Sequence, residues 1–206
     1  MIRLFFVRHG ETEWNTTGKY QGQSDIALSD KGRRQAEALA AHFPAETLDA
    51  VYTSDLKRAR VTAEILVNRF GCPLFPDKAL QEIHFGDWEG HTYEEIVSKW
   101  PEQGANFFRA PEKLIVPHGE SFPLLQERAM QKVQAIISEN EGNNVAVVAH
   151  GAIIRTILAT LMHIPLHYLW SIRQDNTAVS ILRIDGEFTT IELINSTAHL
   201  SRQESL

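Results

Sequence analysis

Two kinds of hydrophobic pattern alternate along the chain. Ile2 to Val7 and Val145 to Ala149 are short, nearly unbroken apolar runs, which suits strands covered on both faces of a parallel sheet. Ala50-Val51-Tyr52 reads as a further strand. Between the runs, apolar positions recur three and four residues apart, the spacing of a helix with one buried face. Ser29 caps such a helix, which turns Ala36, Leu39, Ala40 and Phe43 inward and ends at Pro44; Ser54 or Asp55 caps another, with Leu56, Ala59, Ala63 and Leu66 on one stripe and Arg58 in its first turn, off that stripe. Thr92 and Glu95 form a capping box for a short helix, apolar at Tyr93, Ile96, Val97 and Trp100 and stopped by Pro101. A helix from Ser121 carries Leu125, Ala129, Val133 and Ile136 inward, and a last one runs from about Ala152 to Met162. Ala178 to Ile184 and Phe188 to Ile194 flank Asp185-Gly186, a strong signal for a hairpin turn.

This order of elements predicts an α/β fold, a layered α/β/α domain with a mostly parallel mixed sheet and an antiparallel C-terminal hairpin. A chain of 206 residues with 43% hydrophobic content has enough apolar material for one core, so residues 1–206 are expected to form a single domain. The net charge of −6 and the absence of a long Lys/Arg block argue against nucleic acid and against an anionic membrane as partners. No apolar stretch is long enough to span a bilayer. The lone Cys72 excludes an intrachain disulfide framework, and MIRLFFVRHG is too short an apolar run for a signal peptide before Arg8 interrupts it, so a cytoplasmic location is expected. Oligomeric state stays open, a homodimer included.

Two strand-then-His-Gly junctions, His9-Gly10 and His150-Gly151, are the most informative feature. In open α/β sheets ligands bind beyond the carboxyl ends of the strands, and neighbouring strand ends would bring the two imidazoles together. Glycine after each His lets the backbone approach a ligand, and its amide is a candidate anion donor. Arg8 and Arg58 supply planar forks suited to phosphate oxygens. Phosphoryl transfer depends chiefly on positioning and charge stabilisation, and a neutral imidazole held at its other nitrogen is a competent nucleophile without a metal. His9 meets that description by position, and Glu82, in the aromatic loop LQEIHFGDWEG, is the candidate acid/base, with Asp87 and Glu89 as rivals. His84 in the same loop is a candidate substrate contact. A single His at a strand end is commonly just a satisfied polar residue; the second junction and the adjacent Arg8 favour chemistry. His163 and His167 are separated by a helix-breaking Pro165, and no carboxylate or cysteine set stands at metal spacing, so no metal and no cofactor is expected. Cys72 lacks the Arg six residues later that a phosphatase thiolate loop needs, and Gly18-Lys19 lacks the earlier glycine of a P-loop.

VRHGETEWN, SDLKRARVTAEI, LQEIHFGDWEG, HGES and VVAHGAIIR, in this order, resemble the histidine phosphatase superfamily over nearly the whole chain. That resemblance implies a phosphohistidine at His9, phosphate contacts from Arg8, Arg58 and His150, an acid/base at Glu82, and phosphate or substrate contacts at Asn15, Gln21 and Gly22. His118-Gly119-Glu120-Ser121 and the tail Asn195 to Leu200 look like the small-phosphatase branch, which includes α-ribazole and phosphoserine phosphatases. The mutases of the family carry an extra basic segment with adjacent arginines, whereas only Arg109 and Lys113 lie between Trp100 and Ser121 here, and position 85 is Phe instead of a phenol-bearing residue. The expected function is therefore hydrolysis of a small phosphorylated metabolite. A phosphoglycerate mutase-type isomerase and a catalytically silent phosphate-binding domain are the alternatives.

Overall fold

The computed structural model of the chain describes residues 1–201; the last five residues of the expected domain lie outside the described residues. Among those described, the strands β1 (Ile2–Arg8), β2 (Ala50–Thr53), β3 (Leu74–Pro76), β4 (Asn144–Ala149), β5 (Val179–Asp185) and β6 (Phe188–Ser196) form one sheet in the order β3-β2-β4-β1-β5-β6. Pairings from β3 through β1 are parallel, and β5 and β6 are antiparallel additions. The layered α/β fold with its C-terminal hairpin is thus as the sequence pattern predicts.

The apolar runs are unbroken because both sheet faces are covered. Leu4, Phe6, Val145 and Val147 pack on one side with α6 (Phe122–Glu139) and α7 (Gly151–Leu161). Phe5, Val7, Ala146 and Val148 pack on the other, where α2 (Asp30–Ala41) and α3 (Lys57–Phe70) contribute Leu39, Ala59, Ala63 and Leu66. Ser29 caps α2 and Ser121 caps α6, as the sequence indicates.

Several expectations need correction. Neither Ser54 nor Asp55 caps α3: its first residue is preceded by Leu56, and the Lys57 amide donates to Asp25 Oδ1 at 2.7 Å, a carboxylate brought in from a remote loop. In α4 (Tyr93–Lys99) the Thr92–Glu95 capping box forms, yet Ile96 alone is fully buried; the segment after Pro101 turns into a further helix, α5 (Pro101–Arg109), with Pro at its first position. The C-terminal turn is shifted by one: Asp185 pairs with Phe188, and Gly186 (φ +57°) takes the first central position with Glu187 the second. A single turn, α1 (Glu13–Thr16), capped by Thr12, and the terminal α8 (Ala198–Ser201) complete the helices described.

Candidate active site

The register of β1 on β4 pairs Arg8 with Ala149, so the next residues, His9 and His150, leave the sheet side by side at its carboxyl edge. The His9 amide donates to Ala149 O at 3.0 Å, and the two imidazole centroids lie 5.2 Å apart. A cavity of about 350 Å³ opens there, and its lining includes Arg8, His9, Asn15, Gln21, Gly22, Arg58, Glu82 and Gly151.

Two neighbours set the tautomers in opposite senses. His9 Nδ1 lies 2.7 Å from Gly10 O; a carbonyl only accepts, so the ring proton is on Nδ1 and Nε2 carries the lone pair. Burial, then the Arg58 and Arg8 cations, push the His9 pKa well below the usual imidazole value, leaving the ring neutral near pH 7. His150 is the reverse case. Its Nδ1 accepts from Arg58 Nε at 3.1 Å, and since a guanidinium only donates, the ring proton is on Nε2. That Nε2 is buried without a hydrogen-bond partner, as are Arg8 Nε and Gln21 Oε1. Buried unpaired polar atoms are rare in folded proteins; Arg8 and Gln21 line the cavity, and His150, itself outside the lining, packs against His9, which lines it. Burial again lowers the His150 pKa well below its ordinary value, with Arg58 next in importance.

Arg58 is 1% exposed although it sits in the first turn of α3. It donates to Ser24 O at 2.7 Å and Gly22 O at 2.6 Å besides His150, and burial brings its pKa down to about 10. Gly22 has φ +50°, and a Cβ there would stand 2.1 Å from Glu89 Oε1. Arg8 donates to Gln174 O at 2.7 Å, and burial lowers its pKa too.

The Glu82 carboxylate is buried against the start of α7. Oε1 accepts from the amides of Ile83 and Ile153, both at 3.0 Å, and Oε2 from Ala152 at 2.9 Å. Oε1 therefore has both lone pairs engaged, while Oε2 keeps one for a proton. Of its rivals, Asp87 pairs with His118 at the surface and Glu89 accepts from the Gln23, Ser24 and Phe85 amides; neither lines the cavity.

Two expectations fail on geometry. Gly10 is not an anion donor: its amide is held by Thr62 Oγ1 at 3.1 Å, and its lack of a side chain serves close packing, since a Cβ would come within 2.3 Å of Gly32 O on α2. His84 faces a neighbouring groove together with Gln81 and Glu120 and does not line the cavity. Asn15 does line it, with Oδ1 engaged by Thr12 and Asn176.

The sequence reading missed Arg155, Lys19 and an aromatic wall of Tyr20, Phe107, Phe108 and Trp170. Arg155 was detectable: four residues after Gly151 on α7, it shares the helix side that Gly151 presents to the cavity. Trp170 has no such signal, as it comes from the 3₁₀ segment Leu166–Ser171 and is seated by donating to Phe107 O at 2.6 Å. Among the described residues, no group of three or more His, Cys, Asp or Glu is arranged to hold a metal ion, and no helix is long and apolar enough to cross a membrane.

A neutral ring offering a lone pair, a second ring offering a proton, and guanidinium groups around them suit a tetrahedral phosphoryl group, placing the chain among proteins that handle phosphate esters. Comparison with known proteins narrows this. Residues 4–197 match the histidine phosphatase superfamily (branch 1), and the chain belongs to that family. Phosphoserine phosphatase 1 of Hydrogenobacter thermophilus is 32% identical over 97% of this chain and 95% of its own length. The solved structure of Bacillus stearothermophilus YhfR superposes with a TM-score of 0.92 at 37% identity, covering 97% of this chain and all of that one. A mutant phosphoserine phosphatase of Entamoeba histolytica, solved in complex with phosphoserine, superposes at 0.87 with 30% identity, covering 97% of this chain and all of that one.

Proposed function

We propose that this chain is a phosphatase that removes the phosphoryl group from small phosphorylated metabolites through a phosphohistidine at His9. The observation that carries the proposal is the opposite tautomer of the two rings. The lone pair on His9 Nε2 attacks phosphorus, the bond to the ester oxygen breaks, and that oxygen takes a proton from Glu82 Oε2. Arg8, Arg58 and the Nε2 proton of His150 meet the charge on the non-bridging oxygens. Phosphorylated His9 is cationic and keeps its Nδ1 proton on Gly10 O. Water then loses a proton to Glu82 and attacks phosphorus; the N–P bond breaks, and inorganic phosphate leaves with His9 neutral again.

The names of the relatives support a phosphomonoester as substrate. Hydrolysis is favoured over return of the phosphoryl group to another hydroxyl, because Arg109 and Lys113, the only Arg and Lys between Trp100 and Ser121, are not among the cavity-lining residues. The reading extends to a single domain over residues 1–206 working in the cytoplasm, which a lone, half-buried Cys72 fits.

The test is rapid mixing with ³²P-labelled phosphomonoesters, quenched in alkaline denaturant to preserve phosphohistidine, alongside assays for free phosphate and for phosphoglycerate interconversion. Label is expected on His9 and absent from a folded His9→Ala variant, with free phosphate as the product. Full turnover by His9→Ala would overturn the mechanism, and interconversion outpacing phosphate release would overturn hydrolysis.

A further inference from the structure

Glu82 is held at two levels. Its carboxylate is bound by α7, while its backbone is bound by α6 through Arg128. A guanidinium has five N–H donors, and all five of this one are engaged. Nε and Nη2 donate to the two Glu120 oxygens at 2.7 and 2.8 Å. Nη1 donates to Ala79 O at 2.9 Å and Gln81 O at 2.8 Å, and Nη2 also donates to Glu82 O at 2.9 Å. Glu120 extends the grip past Glu82, since its Oε2 accepts from the His84 amide at 3.3 Å and its own amide donates to His84 O at 2.8 Å. One ion pair thus fixes the main chain on both sides of the acid/base, yet neither partner lines the catalytic cavity.

We propose that Arg128 and Glu120 are positioning residues that hold Glu82 Oε2 where it meets the leaving oxygen. The inference rests on reading Glu82 as the proton carrier. Charge-assisted bonds to three carbonyls within four residues are stiffer than neutral ones, and the carboxylate is only a short side chain away from the clamped backbone. A displacement of about 1 Å at a reacting group costs roughly a hundredfold in rate. The loss must fall on the step that needs the proton, so it depends on the leaving group: an alkoxide requires protonation as it departs, whereas p-nitrophenolate does not.

The test compares kcat/KM, which reports the first phosphoryl transfer, for glycerol phosphate and p-nitrophenyl phosphate in the full-length chain. Arg128→Lys, which keeps the charge but not the five-way geometry, and Glu120→Gln are each expected to lose about 30- to 100-fold with glycerol phosphate and less than about threefold with p-nitrophenyl phosphate. Glu82→Gln is the reference and should show the same selectivity, more strongly. If Glu82→Gln discriminates but the clamp variants lose both substrates equally or neither, the clamp has a merely structural role and the inference fails. If Glu82→Gln does not discriminate, the acid assignment itself falls, and the clamp with it. Should Arg128→Lys not fold, Glu120→Gln decides by the same ratio.

Discussion

Replacing Arg58 with Met separates what the site costs the fold from what it contributes to catalysis. The guanidinium is almost wholly buried, and its pKa is drawn down to about 10. A drop of that size corresponds to about 3 kcal/mol of unfavourable burial. Against this stand its bonds to His150 Nδ1, Gly22 O and Ser24 O. A Met of similar length removes the buried charge but leaves Gly22 O and His150 Nδ1 without donors, at roughly 1 to 3 kcal/mol each, while Ser24 O keeps the Ile26 amide at 3.0 Å. Loss of about 2 to 6 kcal/mol set against a gain of about 3 gives a net change from about 1 kcal/mol stabilising to about 3 destabilising, which for a chain of this size lowers Tm by no more than roughly 12 °C. Activity should respond far more. Removing one donor from a phosphoryl site costs about 10²- to 10³-fold, and His150 also loses the partner that fixes its ring proton on Nε2. The assay pairs kcat/KM on a small phosphomonoester with thermal melts, with and without vanadate. Arg58→Met should melt no more than about 12 °C below the parent, lose at least about a hundredfold in kcat/KM, and lose the vanadate-induced rise in Tm. Activity within about tenfold of the parent, or an undiminished vanadate effect, would refute the assignment of Arg58 to the phosphoryl oxygens.

Acid should unfold the protein through its histidines. Burial holds His9 and His150 well below the usual imidazole pKa and puts His199, packed on Thr177 Oγ1 at 2.9 Å, at about 4. The unfolded chain takes up protons first, so this share of the stability is complete above about pH 6.5 and is lost as pH falls toward about 4; urea midpoints that stay level between about pH 7 and 5 would contradict it. Gly22→Ala should be costly although it adds only a methyl group, because φ +50° and the Glu89 carboxylate both resist a side chain there. A shift of the Gly22 carbonyl away from Arg58 is expected to cut kcat/KM by about tenfold or more, measured beside a urea melt, and an unchanged rate would show that this loop does not seat Arg58.

Much of this was legible because chemistry and fold share the same residues. The runs Ile2–Val7 and Val145–Ala149 had to be interior strands, and a His-Gly at the end of each placed both rings at the carboxyl edge whatever the strand order. Their direct adjacency was not legible, since β1 and β4 are separated by most of the chain and paired through non-local contacts. β3 escaped notice because it is three residues long and ends in Pro76, which an edge strand tolerates. α5 escaped because Gly104 sits within it, packed against Val97 where a side chain would not fit. The cap of α3 failed because its partner comes from elsewhere: Asp25 has no local sequence signature. The burial of Arg58 is of the same kind, for an arginine off the apolar stripe reads as exposed until the loop that wraps it, Gly22 to Ser24, is in place.

What composition cannot express is that two chemically identical side chains are given different roles by single contacts. His9 and His150 end neighbouring strands, both are followed by glycine, and both are held neutral by burial. If their surroundings were alike, both would offer phosphorus the same face. The difference lies in one acceptor and one donor: Gly10 O takes the proton side of His9, and Arg58 Nε takes the lone-pair side of His150. Reversal of either contact would leave two lone pairs or two protons at the phosphoryl position, and neither pairing supports attack together with charge stabilisation. Gly10 must therefore follow His9 in a conformation that turns its carbonyl back on the ring, and close contact with Gly32 of α2, where a Cβ on Gly10 would collide, holds it there. Under the proposed mechanism, packing of a helix against a strand end is in this way part of what makes His9 the nucleophile.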